Sequence, residues 1–72
     1  MAHDLFYVRN LADVRSDADL TQHQLATSSN VAVKTISEIE NDQSKKVRQR
    51  TAKRIQTGLG AYGSKLQVVR AS

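Results

Sequence analysis

A helix-start signature at residues 20–25 is the feature that most constrains how this chain can fold. Thr21 is placed to cap a helix by accepting from the backbone N–H of Gln24, whose side chain is placed to reach back to the N–H of Thr21. Leu20 and Leu25 flank this cap as a hydrophobic staple. The pattern predicts a short helix from Gln22 to about residue 28.

A tight turn and a second short helix follow. Asn30 tolerates the left-handed backbone conformation better than any residue except glycine, so it is predicted to end the first helix. A second helix is predicted over residues 33–40, with Ile36 and Ile39 pointing inward, and it stops at Asn41 and Asp42. Two short helices joined by a three-residue turn form a helix-turn-helix, whose second helix enters the major groove of DNA.

The flanking segments predict further helices. Residues 5–16 are expected to be helical, and another helix fits residues 48–57, ended by Gly58 or Gly60. Residues 66–70 are rich in β-branched side chains and fit a short strand or a frayed tail. The expected fold class is all-α: a compact domain of four to five helices, with or without a short C-terminal strand. One domain spans residues 1–72, with a recognisable core at about 11–60.

Charge is divided unevenly along the chain. Up to residue 44 there are three cations and seven acids, whereas the remainder has eight cations and no acid, so the halves carry −4 and +8. Six of these cations lie within residues 45–54. Such a basic stretch beside helical patterning fits a polyanionic partner and, on charge alone, fits a solvated helix face equally well.

Several functional classes lack support in the sequence. There is no cysteine, so disulfides and thiolate sites are excluded. His3 and His23 have no carboxylate at ligand spacing, so no metal is expected. Serine nucleophiles lack a base partner, no glycine-rich phosphate loop is present, and no enzyme activity or cofactor is predicted. No apolar stretch is long enough to cross a bilayer, which predicts a soluble cytoplasmic protein without membrane contact.

The central pattern resembles the lambda-repressor/Cro-like helix-turn-helix proteins of phages, plasmids and bacteria. The matching string is Leu20-Thr21-Gln22-x-x-Leu25-Ala26-x-x-x-Asn30-Val31-x-x-x-Thr35-Ile36-Ser37-x-Ile39-Glu40-Asn41, followed by Ile55-x-x-x-Leu59-Gly60. A dozen positions match in register, over roughly residues 11–60. The resemblance implies a DNA-binding domain that regulates transcription.

The resemblance also implies a role for individual residues. The base-reading positions of the second helix are occupied by Val33, Lys34, Ser37 and Glu38. Phosphate contacts are implied for Gln22, Thr35 and Asn41, and for four cations where the family's loop faces the DNA backbone: Lys45, Lys46, Arg48 and Arg50. Arg15 and Glu40 match a buried ion pair. Lys53 and Arg54 are interpreted as ordinary surface charges.

Three of the base-reading assignments have alternatives. Val33 fits a thymine methyl group or a plain surface position, and Lys34 fits guanine or a phosphate. Glu38 fits cytosine N4, or an ion pair with Lys34 one turn away.

The chain departs from the family pattern at four positions. Asp19, Asn30 and Asp42 stand where glycine is usual, and Ala32 replaces a capping Ser or Thr at a cost of about 0.5–2 kcal/mol. The family's fifth helix is not evident after Gly60.

The expected protein is a repressor that binds a palindromic operator as a homodimer, with half-sites about one helical turn apart. The alternatives are an antitoxin that also binds a toxin protein, with residues 66–70 at that interface, and a protein-interaction module without DNA binding.

Overall fold

The structure is a computed structural model that describes residues 5–71. A helical part is joined to a small sheet. In chain order the elements are β1 (Leu5–Val8), α1 (Leu11–Asp17), α2 (Gln22–Ser29), α3 (Val33–Asn41), β2 (Lys46–Arg48), α4 (Gln49–Gly58), a 3-10 helix (Gly60–Lys65) and β3 (Val68–Arg70).

The predicted helix-turn-helix is confirmed as a backbone unit. Both halves of the capping box at α2 are present: the backbone N–H of Gln24 donates to Thr21 Oγ1 at 3.0 Å, and the N–H of Thr21 donates to Gln24 Oε1 at 2.8 Å. Asn30 ends α2 in the left-handed conformation at φ 57°. The second helix of the pair, α3, starts at Val33 as predicted and ends one residue later than expected, at Asn41.

The core lies between the helices and the sheet. It is formed by apolar side chains from all four α-helices, from β1 and β2, and from the segments after α4: Val8, Leu11, Val14, Leu25, Ile36, Ile39, Val47, Ala52, Ile55, Leu59 and Leu66. Ile36 and Ile39 point inward as the periodicity predicts. Since one shared core buries α2, α3 and α4 together, the exposed face of α3 has a fixed orientation relative to its neighbours.

The expected compact helical domain is confirmed in part: four α-helices and a 3-10 helix make up most of the described residues, but a three-stranded antiparallel sheet, which the all-α expectation did not include, is also present. Its strand order is β2-β1-β3. β1 was expected to be the start of a helix. Its partners are remote in sequence: Phe6 lies opposite Val47 in β2 and opposite Arg70 in β3. Val8 is buried in the core and Phe6, on the same side of the strand, is partly buried; the pairing of β1 with β2 and β3 outweighs the local helical pattern.

The C-terminal strand is confirmed at Val68–Arg70. Its partner is β1 of the same chain, with Val8 opposite Val68 and the N–H of Ala71 donating to the carbonyl of Leu5 at 2.8 Å. After α4, where the sequence shows no fifth α-helix, the chain forms a 3-10 helix at Gly60–Lys65.

Two departures from glycine are accommodated in different ways. Asp19 takes the positive φ of 59° that favours glycine, immediately after α1. Asp42 adopts extended backbone at φ −133°, and its carboxylate accepts from the N–H and the hydroxyl of Ser44. These bonds lower the pKa of Asp42. No glycine conformation is therefore required at residue 42.

Candidate nucleic-acid interface

The outer face of α3 carries the four predicted base-reading side chains. Lys34 is exposed, and Val33, Ser37 and Glu38 are partly exposed. The spacing of these four residues places them on one side of the helix, opposite the buried Ile36 and Ile39. As expected for alanine, Ala32 makes no side-chain cap at the start of α3.

An ion pair ties the first helix to the third, as the resemblance implied. Arg15 donates two hydrogen bonds to Glu40, from Nε to Oε2 at 2.6 Å and from Nη2 to Oε1 at 2.9 Å. Its remaining nitrogen donates to the carbonyl of Leu20 at 2.8 Å. The Glu40 side chain is only 6% exposed and that of Arg15 is 20% exposed. The pair fixes the angle of α3 against the segment that leads into α2.

Protonation of this pair follows from its contacts. Burial acts to raise the pKa of Glu40, but its hydrogen bonds with Arg15 and Gln22, together with the charge of Arg15, outweigh burial. The pKa of Glu40 consequently lies below its ordinary value of 4.5. The hydrogen bond with Glu40 likewise raises the pKa of Arg15. Glu40 is therefore ionised throughout the neutral range.

Gln22 is held in place by the same carboxylate. Its Nε2 donates to Glu40 Oε1 at 2.9 Å. An amide nitrogen has two hydrogens, so one remains for a phosphate at the N-terminus of α2 while the other holds the side chain in position. The predicted phosphate contact is thus compatible with the observed bond.

The two phosphate contacts predicted on α3 lie near its two ends. Thr35 is partly buried in the first turn. Asn41 is exposed in the last turn and donates through Nδ2 to Ser37 Oγ at 3.2 Å, which joins a phosphate candidate to a base-reading candidate.

Glu38 pairs with a cation that was assigned to the DNA backbone. Lys45 Nζ lies 3.0 Å from Glu38 Oε1, and both side chains are more than a third exposed. The alternative pair between Glu38 and Lys34 is not formed among the described residues. A phosphate that binds Lys45 would therefore either displace Glu38 or share Lys45 with it.

The basic stretch after α3 divides between two surfaces. Lys46 and Arg48 extend from β2 onto the side of the sheet that faces solvent, opposite Tyr7 and Leu5 respectively. Arg50 belongs to the first turn of α4 and lines a groove against the end of α2. The sequence suggested one continuous cluster, whereas the strand-to-helix corner directs its members apart.

Arg9 is a basic residue that sequence reasoning missed. Its guanidinium lies 4.8 Å from the centre of the Tyr7 ring, and Tyr7 in turn lies opposite Lys46 in the strand register. Arg9 also borders a small pocket with Gln43, just beyond α3. The signal that could have found it is the strand alternation of residues 5–8.

The described part of the chain shows neither a cluster of metal ligands nor a membrane-spanning helix. Across residues 5–71, no three His, Cys, Asp or Glu side chains are grouped as metal ligands would be. His23 is exposed on α2, and His3 lies outside the described residues. No helix within the same range has the length and apolar character that crossing a membrane requires.

These features are typical of a helix-turn-helix DNA-binding domain: an ion pair holds α3 against α1, α3 presents a polar outer face, and basic residues follow α3. The helix-turn-helix family model matches residues 11–63, and the chain belongs to this lambda-repressor/Cro-like family of DNA-binding transcription regulators. Comparison with curated proteins and with solved structures gave no match.

Proposed function

We propose that this domain is a repressor that binds a palindromic operator in double-stranded DNA as a homodimer. The observation that carries the proposal is the division of α3. Ile36 and Ile39 are in the core, while Lys34, Ser37 and Glu38 face outward on a helix braced by the Arg15–Glu40 pair. A helix presented in this way fits the major groove, where base edges have distinct donor and acceptor patterns. Repression follows when the bound dimer occludes a promoter in the cytoplasm of a bacterial cell.

The proposal assigns two kinds of contact. Base contacts come from Val33, Lys34, Ser37 and Glu38, and phosphate contacts come from both sides of the recognition helix. On one side these are Gln22 and Thr35, and on the other they are Asn41, Lys45, Lys46, Arg48 and Arg50. Phosphate contacts fix the register of the protein on the duplex, whereas base contacts select the sequence.

Selection of bound duplexes from a random pool tests the proposal. A palindromic consensus with half-site centres about 10 base pairs apart is expected. On that consensus, Lys34→Ala should cost about 1–3 kcal/mol and relax the choice at one base pair, whereas Lys45→Ala should weaken binding to all sequences alike. Absence of binding to any duplex at low salt would refute DNA binding. Equal effects of the two variants would refute base reading by Lys34.

An operator-binding antitoxin is the second candidate, and one observation favours it. Val69 in β3 is 46% exposed on the outer side of the sheet, opposite Tyr7, so an exposed apolar side chain is present away from the core. An antitoxin would form a stoichiometric complex with the product of an adjacent gene. In that case, Val69→Asp should abolish the complex while leaving operator affinity unchanged.

A further inference from the structure

A groove of about 500 Å³ separates the C-terminal end of α2 from one face of α4. Three cations of α4 line it, together with hydroxyl and amide side chains from both helices: Arg50, Lys53, Arg54, Ser28, Asn30 and Thr57. The sequence pattern had treated Lys53 and Arg54 as ordinary surface charges, separate from Arg50. The helix turn instead brings all three to one concave surface, since residues three and four apart are neighbours on a helix.

The positive charge of this groove is not neutralised by the domain itself. Neither α2 nor α4 contains an aspartate or glutamate. Among residues 5–71, the ion pairs are those of Arg15 with Glu40 and of Lys45 with Glu38, and neither involves the groove. Cations of one sign around a concave surface raise the local concentration of anions. The chemistry therefore fits a phosphate.

The groove is connected to the recognition helix through the turn that follows α2. Asn30, at its edge, precedes the first residue of α3 by only three positions, and Arg50 follows the phosphate candidate Arg48 by two. Gln22 is at the opposite end of α2, and an eight-residue helix is about 12 Å long. The groove is consequently distinct from the phosphate position assigned to Gln22, and Arg50 is the member of the basic stretch that lines it.

We propose that this groove binds a backbone phosphate of the DNA that α3 reads, an inference that rests on the proposed function. Arg50, Lys53 and Arg54 supply the charge, and the exposed hydroxyl of Thr57 is a further donor. The single hydrogen of the Ser28 hydroxyl is already shared between the carbonyls of Leu25 and Gly58, which holds the end of α2 against α4. The contact adds affinity without sequence preference, because phosphates carry no base information.

The salt dependence of DNA binding tests this inference on the full chain. The probe is a random-sequence duplex of about 30 base pairs, with the selected consensus as a second probe. Each lost phosphate contact reduces the log–log salt slope by about 0.9, which at 0.1 M salt is about eightfold weaker binding. Lys53→Gln and Arg54→Gln should each show this loss, Lys53→Arg should retain the wild-type slope, and preferences among single-base variants of the consensus should stay within twofold.

Lys65→Gln is the matched control, because it removes one exposed positive charge from the 3-10 helix, outside the groove. It should change affinity by less than twofold. The inference is overturned if Lys53→Gln and Arg54→Gln behave like Lys65→Gln, or if either one changes the preference at a base pair. Wild-type protein that binds no duplex would instead refute the proposed function, and this inference with it.

Discussion

Removal of Arg15 is the sharpest test of how the recognition helix is held. Arg15→Ala deletes the two hydrogen bonds to Glu40 and the bond to the carbonyl of Leu20. Glu40, whose side chain is 6% exposed in the intact pair, then keeps a single donor, Gln22. A carboxylate in that position has lost its counter-charge and is only partly hydrated through the space that Arg15 vacates.

The magnitude follows from the burial of the pair. Breaking a buried ion pair by removing one partner costs about 3–5 kcal/mol. Arg15 is 20% exposed, so water can reach part of the vacated space, and the lower end, about 3 kcal/mol, is expected. A chain of this length is stable by roughly 4–11 kcal/mol in total. At about 4–8 °C per kcal/mol, the melting temperature should fall by roughly 12–24 °C.

Thermal and urea unfolding followed by circular dichroism measure the loss. The control is the double variant Arg15→Met with Glu40→Leu, which removes both charges and should lie within about 1 kcal/mol of wild type, since apolar replacement of a buried pair is often neutral. A melting temperature of Arg15→Ala within 2 °C of wild type would show that Glu40 is solvated and would refute the reasoning.

Three further outcomes are expected. Because the pKa of Glu40 lies below 4.5, the folded chain binds fewer protons than the unfolded chain as pH falls through that value, so urea stability should drop below pH 4.5 and drop less in Glu40→Gln. Gly58→Ala should destabilise the fold by about 1–3 kcal/mol in a thermal melt, since its Cβ would lie 2.7 Å from the Cβ of Ser29; a higher melting temperature would contradict this packing. Glu38→Gln releases Lys45, so affinity for random duplex should rise in a binding titration, and an unchanged affinity would mean that Lys45 contacts no phosphate.

Local signals predicted the helical part of the fold. The capping box of Thr21 and the left-handed Asn30 act within three or four residues of sequence, and both are present in the structure. The pair of Arg15 and Glu40 was implied by the family resemblance rather than by spacing, and it too is present. These features determine the positions of α2 and α3.

The sheet could not be predicted in the same way. β1 contains four residues, and its neighbours in the sheet are about 40 and 60 positions away. A short apolar run does not distinguish a strand from a helix by periodicity alone. The split of the basic stretch has the same origin, because the alternation in β2 that directs Lys46 and Arg48 to solvent exists only once Val47 packs into the core.

The placement of β1 between β2 and β3 also affects the order in which the protein folds. The first strand of the described chain is the central one, and its last partner is Val68–Arg70. Closing so long a loop carries an entropic cost that short-range helix contacts avoid. The helical segment can therefore form while the chain is still being synthesised. The sheet is complete only after Val68–Arg70 has emerged from the ribosome, so translation itself delays this step of folding.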